Sequence, residues 1–459
     1  MAKKKQIELT IEEKLQNALV PKEEQPYKIP SNWCWSYWKY CGKFIAGNGF
    51  KNIYQGFTQY DIPYYKVGSL KFCDEGNYLI DETNTINEEI RTKLKAVKIP
   101  VNSIIFAKIG EAIKLNRRCL NKIECCIDNN LMAFISEKYF YKYIFYWTKS
   151  LNFYELTNAT TVPALRKTDL ENIPIPLPPL NEQQRIVNRI ESLFAKLDRA
   201  KELIENTLAQ FEQNKMAILH KAFIGELTAK WRKENNIDLS SWQDYQLKDI
   251  CEKITDGTHN SPINTDLGDY MYITAKNIKE EGIDLSKITY VSSDIHEKIY
   301  ARCNVEFGDV LYIKDGATTG IATINTIKEQ FSLLSSVAVL KPKKNKLLAK
   351  YLVYKLNSNE VRNMMINNMS GVAITRLTLT KIKQAKMKFP TIEEQQEIVN
   401  ILDNLLAKYN KIKNLEQQLE KIELLKKAIL AKAFRGELGT NNPDEESAEN
   451  LLKEILAEK

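Results

Sequence analysis

This sequence is short of the residues that build metal centres and lacks the common nucleotide loops. Its 459 residues include three histidines, His220, His259 and His296, far apart in the chain. The eight cysteines (34, 41, 73, 119, 125, 126, 251, 303) form no Cys-x-x-Cys pair. Zinc ribbons and fingers need ligands paired at short spacing, so no metal site is expected, and the cysteines read as small buried hydrophobes. No G-x-x-x-x-G-K-[ST] stretch is present, which excludes nucleotide hydrolysis through a P-loop. Neither Asn-Pro-Pro-Tyr/Phe nor Asp-Pro-Pro-Tyr occurs, the usual mark of an amino-methyltransferase. The one Glu-x-Lys, Glu12 to Lys14, has no aspartate upstream to complete a nuclease site. No nucleophile–histidine–acid set stands out, so no catalytic residue is assigned and the chemistry is expected from another chain. No apolar run approaches the roughly 18 residues of a membrane span. The start, MAKKKQIELTIEEKLQ, has no apolar stretch to act as a signal peptide. The expectation is a cytoplasmic protein without a membrane partner.

The sequence does contain itself twice. Hydrophobic residues at 44% and charged residues at 27% mark an ordinary globular chain. Its net charge of +8 permits a nucleic-acid partner without requiring one. NEQQRIVNRIESLFAK (181–196) lies over EEQQEIVNILDNLLAK (393–408), and AILHKAFIGEL (217–227) lies over AILAKAFRGEL (428–438). The offset drops by one between these blocks, so the second copy is one residue short. Fainter matches precede them: DIPYYKVGSL (61–70) with DYMYITAKNI (269–278), and SIIFAKIG (103–110) with DVLYIKDG (309–316). The chain therefore divides into an N-terminal helical segment (1–26), a variable unit (27–157), a repeated linker and helix (158–241), a second variable unit (242–368), a second linker and helix (369–440) and an acidic amphipathic tail (441–459).

Prolines 174, 176, 178 and 179 forbid helix and favour extended chain before the first repeated block. Asn181 with Gln184, and Thr391 with Glu394, then have the spacing of capping boxes. Each helix should end near Gly225 or Gly436 after about 40 residues, roughly 60 Å at 1.5 Å per residue. Ile186, Ile190, Leu193, Leu197, Ala200, Ile204, Leu208 and Phe211 recur at steps of three and four, close to a heptad seam. Ile398, Leu402, Leu405, Tyr409, Ile412, Leu415, Leu419 and Ile422 repeat the pattern, with the missing residue between Ile412 and Leu415. The fold class expected is α+β, with two curved-sheet units separated by two long helices that pair as an antiparallel coiled coil in a pseudo-twofold repeat.

The variable units carry short β-rich runs between Gly, Asn and Asp turns. Segment 27–157 holds 18 Lys/Arg against 12 Asp/Glu, and 242–368 holds 16 of each, so the first unit suits a phosphate backbone better. Candidate DNA-contacting residues are Lys66, Lys108, Lys114, Arg117 and Arg118 in the first. In the second they are Thr258, His259, Asn260, Lys276, Asn277, Lys314, Asp315, Thr318 and Thr319. These residue types read base edges or hold phosphates. Lys108 and Lys314 sit at matching places, each two residues before a glycine, Gly110 or Gly316.

IPIPLPPLNEQQRIV (173–187), KFPTIEEQQEIV (388–399) and the two A-I-L-x-K-A-F-x-G-E-L blocks together resemble the specificity subunit of type I restriction–modification enzymes. EEQPYKIPSNWCW (23–35) resembles that family's entry into its first domain. The resemblance runs nearly the whole chain. It implies two target-recognition domains that read a bipartite duplex DNA target, one half-site each, and helices that set the spacer and dock two methyltransferase subunits. Two motor–nuclease subunits complete the restriction enzyme. It implies no cofactor in this chain: S-adenosylmethionine for adenine N6 methylation, and ATP with magnesium for restriction, belong to the partners. It also implies that the N-terminal helix and the C-terminal segment meet. A competing reading from the same helices is a pseudo-dimeric coiled-coil scaffold whose β-rich units bind protein rather than DNA.

Overall fold

The computed structural model describes residues 9–136, 141–157, 162–367, 377–410 and 413–457. It divides into two compact units, one of residues 1–202 with 418–459 and the other of residues 203–417. Among the described residues no helix is long and apolar enough to cross a membrane.

Each unit is built on the same pair of sheets. In the first, a four-stranded antiparallel sheet runs in the order Gly42–Ala46, Leu131–Ser136, Ile104–Ala107, Arg118–Leu120. A three-stranded sheet places Ile62–Tyr65 between antiparallel Thr85–Ile86 and parallel Cys126–Ile127. In the second unit the four-stranded order is Cys251–Asp256, Val337–Pro342, Val310–Ile313, Ala322–Ile324. Its three-stranded sheet places Tyr270–Ile273 between antiparallel Thr289–Val291 and parallel Ser332–Leu333. The interior strands Ile104–Ala107 and Val310–Ile313 are buried along their whole length, which is why they read as unbroken apolar runs. Trp38 anchors the first core, with ring centroids 4.6 Å from Phe44 and 5.0 Å from both Phe134 and Trp147. Where each long helix ends, Phe434 lies 5.4 Å from Tyr143 in the first unit and Phe223 lies 5.6 Å from Tyr351 in the second.

The extended prolines form the strand Pro174–Leu177, antiparallel to Cys34–Tyr37. Lys386–Phe389 pairs likewise with Gln243–Gln246. Helix then follows in both copies. Leu180–Phe223 is continuous over 44 residues, about 66 Å. The second copy is described as Ile392–Asn410 and Lys413–Phe434. The predicted skip beside Ile412 lies outside the described residues. The seam positions from Ile186 to Phe211 are buried or half-buried, and the helix stops before Gly225, which takes φ +85°. Gly436 takes φ +74° at the other stop. Within the first unit the two helices run antiparallel: Asp198 meets Lys426 at 2.5 Å and Lys201 meets Glu423 at 3.6 Å. Moving three residues up one helix moves three down the other.

The capping boxes expected at the helix starts are not formed. The first helix begins at Leu180, so Asn181 lies inside it. The polar triplet serves three separate purposes, repeated in both copies. Gln183 Nε2 donates to the Pro178 carbonyl and Gln395 Nε2 to the Pro390 carbonyl, each at 3.0 Å, tying helix to strand. Gln184 donates to Asn188 on the surface, as Gln396 does to Asn400. The glutamates turn inward and are fully buried. Glu182 accepts from Trp33 Nε1 and Asn441 Nδ2, both at 2.8 Å. Glu394 accepts from Trp242 Nε1 (3.0 Å), Thr228 Oγ1 (2.6 Å) and Arg232 Nη1 (2.5 Å). The Thr391 hydroxyl still caps the Glu394 amide at 3.4 Å. Burial satisfied by three donors outcompetes an exposed cap because an indole N–H left unpaired inside costs more than a solvated helix end.

The ends of the described chain meet in the first unit. Thr10 and Glu13 form a capping box on the helix Ile11–Ala18. This helix packs with Ala448–Ala457, where Lys14 Nζ donates to the Leu456 carbonyl at 3.4 Å. Leu15, Leu452, Ile455 and Leu456 are buried together in the core.

Candidate nucleic-acid interface

The register of the second unit explains its polar cluster. Asp256 lies opposite Ala338 and Ile313 opposite Val337, on the two sides of one central strand. Asp256 and Lys314 therefore emerge at the same end of the sheet. Lys314 Nζ is 3.4 Å from Asp256 Oδ2 and 3.0 Å from Asp315 Oδ2. Arg302, the last residue of the helix Ser293–Arg302, reaches Asp256 Oδ1 at 2.6 Å. His259 Nε2 lies 2.9 Å from Arg302 Nη2 and 3.5 Å from Asp256 Oδ1. The loop is pinned because the Thr258 amide donates to Leu333 and the Thr258 carbonyl accepts from Ser335, both at 2.8 Å. Asp256 is buried, while Arg302 is half exposed and His259 slightly more. The cluster holds these two outward as the donors a phosphate or a base edge would meet.

The other predicted residues of this unit separate by burial. Asn260, Lys276 and Thr318 are exposed. Lys314 is buried within its ion pairs, and Asp315 is half-buried beside it. Thr319 is buried, its hydroxyl closing a turn onto the Gly316 carbonyl at 2.7 Å. Asn277 is also buried, accepting from the Thr274 amide at 3.0 Å and donating to the Asp284 carbonyl at 3.1 Å. These two shape loops instead of presenting donors to a ligand. Sequence reasoning missed Asp256 and Arg302. Asp256 lies two residues before Thr258, in the same loop as three of the candidates, but nothing local marks Arg302.

In the first unit Ala46, opposite Met132, holds the place of Asp256. Lys108, the counterpart of Lys314, thus has no such acid beside it, and no hydrogen bond or ion pair of its ammonium is found among the described residues. Gly110 follows at φ +85° and Gly316 at φ +109°, conformations that a Cβ would strain. Lys114 pairs with Glu111 at 2.7 Å and lies 5.1 Å from the Tyr154 ring centre. Arg117 is exposed. Arg118 is buried over Phe153, 3.8 Å from the ring centre, and donates to the Asn116 (2.5 Å) and Leu151 (2.8 Å) carbonyls. It braces the loop that carries its neighbours, because a guanidinium so bonded has little left for a ligand. Lys66 directly follows the strand Ile62–Tyr65 and is bonded to Gln55 Oε1 at 2.7 Å.

The family model described as type I restriction modification DNA specificity domain matches residues 52–210 and again 240–424. The chain belongs to this family. The specificity subunit of the type I restriction enzyme EcoBI from Escherichia coli is 29% identical over 330 residues, 66% of this chain and 68% of that one. The EcoKI specificity subunit from Escherichia coli K12 is 26% identical over 318 residues, with the same coverage. Among solved structures, a chain from work on assembly and conformational transition of the type I restriction–modification system superposes at TM-score 0.66. It shares 19% identity over 90% of this chain and 100% of that one. The HsdS subunit from Thermoanaerobacter tengcongensis superposes at 0.52 with 20% identity and the same coverage. The family's specificity-subunit fold, with two recognition domains and a long helix, is thus the fold of this chain.

Lys108 is half-buried, and its ammonium has no partner among the described residues that would compete with a phosphate. Lys108→Ala is expected to weaken DNA binding by the assembled complex about three- to tenfold on every sequence, and to reduce the slope of log K against log[salt] by about one. Titrations at three salt concentrations check it. A flat salt response in the unsubstituted complex favours a protein-binding scaffold instead.

Proposed function

We propose that this chain is the non-catalytic DNA-reading subunit of a type I restriction–modification complex. Each sheet pair reads one half of a split duplex target. The helices hold the halves at a fixed spacing and dock two methyltransferase subunits, which use S-adenosylmethionine to methylate adenine N6. Two ATP- and magnesium-dependent motor–nuclease subunits join these for restriction. The observation that carries the reading is the duplicated fold. Two units with identical strand orders each present a loop cluster at the sheet end, and each leads through a proline-rich or proline-ended strand into a long helix. Such duplication mimics a dimer within one chain, while the different loops permit an asymmetric target. Co-expression with a neighbouring methyltransferase subunit, followed by single-base mapping of N6-methyladenine, tests it. A bipartite motif is expected; an assembled complex that adds no methylation overturns the reading.

The helix gives a second expected outcome. Four residues inserted near position 205 lengthen Leu180–Phe223 by about 6 Å. The methylation map should show a spacer longer by one or two base pairs with both half-sites unchanged. An unchanged spacer would mean that these helices do not measure it.

A further inference from the structure

The first unit contains a thiol pair outside the candidate DNA-contacting residues. Cys73 and Cys119 lie 46 residues apart in sequence, yet their Sγ atoms are 2.7 Å apart. The contact is set by short pairings around them: Cys73 bridges to Leu79, and Tyr78 bridges to Leu120, the residue after Cys119. Cys73 is half-buried and Cys119 buried. Both line a cavity of about 1210 Å³ that opens between the loop 70–77, the strand Arg118–Leu120 and the helices. Arg117 and Lys149 line the same cavity. Lys149 donates to Asn77 Oδ1 at 2.5 Å and has no carboxylate partner among the described residues.

The surroundings divide the two thiols into different roles. The hydrogen bond with Cys119 holds the Cys73 thiol below the ordinary thiol value, against its burial and with help from Lys149 and Arg117. That same contact and burial push Cys119 far up. Burial draws the Lys149 ammonium down to about 8, which leaves it charged at neutral pH. The buried pair Cys125 and Cys126 has no such asymmetry, since burial raises both. A half-buried thiol of lowered pKa, two cations and a second thiol in contact form the arrangement of a peroxide-reactive dithiol.

We propose that Cys73 and Cys119 are a reversible oxidation site whose oxidant is a peroxide. The Cys73 thiolate attacks one peroxide oxygen, and the O–O bond breaks. Cys73 becomes a sulfenic acid, and the departing alkoxide or hydroxide takes a proton to leave as alcohol or water. The Cys119 sulfur then attacks the sulfenic sulfur. A disulfide forms, and the sulfenic oxygen leaves as water with the Cys119 proton. The two thiols lose two electrons, and the peroxide gains them. A dithiol reductant reverses the bond by thiol–disulfide exchange.

Hydrogen peroxide at low stoichiometry, applied to the full chain at neutral pH, is the test. Peptide mapping is expected to find Cys73 joined to Cys119, with the other six cysteines still free and the bond lost on treatment with dithiothreitol. Iodoacetamide should alkylate Cys73 about tenfold faster than any other cysteine. In Cys119→Ser, peroxide should leave Cys73 as a sulfenic acid that dimedone traps. Both thiols remaining free, or Cys73 passing to sulfinic acid in the unsubstituted chain without joining Cys119, overturns the proposal. The mapping needs no variant, so a substitution that fails to fold does not blunt it.

Discussion

Glu394→Ala is expected to destabilise the second unit by about 3–5 kcal/mol, the usual cost of removing one partner of a buried ion pair. Its carboxylate is fully buried and takes the Trp242 indole, the Thr228 hydroxyl and the Arg232 guanidinium. Removing it strands a charge that is nine-tenths buried. The Gly225 carbonyl and the Thr228 hydroxyl, which Arg232 also reaches, cannot neutralise it. Arg232→Met in the same chain should restore much of the loss, because no cation is then left inside. The matching Glu182→Ala should cost less, roughly 1–3 kcal/mol, because its donors are the neutral side chains of Trp33, Asn441 and Thr440. A chain of two units need not unfold in one step. Hydrogen exchange along a urea series, read separately over 203–417 and over the remainder, is the appropriate measurement. Equal losses in the two variants would show that the charge of Arg232 contributes nothing.

Exchanging the first recognition unit for that of a relative should replace one half of the DNA target and leave the other untouched. Each mismatched base pair costs about 1–3 kcal/mol, so a whole wrong half-site ends methylation at the original target. The structure places the best downstream junction at Pro178–Pro179, beyond residue 157. Lys108 accepts a backbone hydrogen bond from Leu165, Gly110 donates to Pro163, and Cys34–Tyr37 needs Pro174–Leu177 as its partner strand. A cut at 157 would separate these neighbours. Methylation mapping of the exchanged chain checks the outcome, and a change in both halves would sink the modular account.

The helices were legible because their evidence is local. A heptad seam, a proline stretch and a terminal glycine each act within a few residues, and the repeat doubled every signal. The start of the helix was misread for the same reason. Asn181 and Gln184 have the spacing of a cap, but the nearby Glu182 answers to Trp33, 149 residues away in sequence. The sheets were legible as runs and not as pairings. Arg302 reaches Asp256 across 46 residues, and Lys314 reaches it only through the register of the strand between them. Arg118 and Asn277 have the right chemistry for DNA and the wrong accessibility. No run of residues reveals that one side chain of an Arg-Arg pair is buried under a phenylalanine.

The composition of the first unit has a consequence for synthesis. The second unit, residues 203–417, is one uninterrupted stretch, whereas the first needs 418–457 as well as 9–202. A chain emerging from the ribosome can close the later unit while the earlier one still lacks Phe434 and Leu452 from its core. The half that is translated first is completed last. A premature stop after residue 417 would therefore spare the second recognition unit and leave the first, more than 200 residues upstream, without part of its interior.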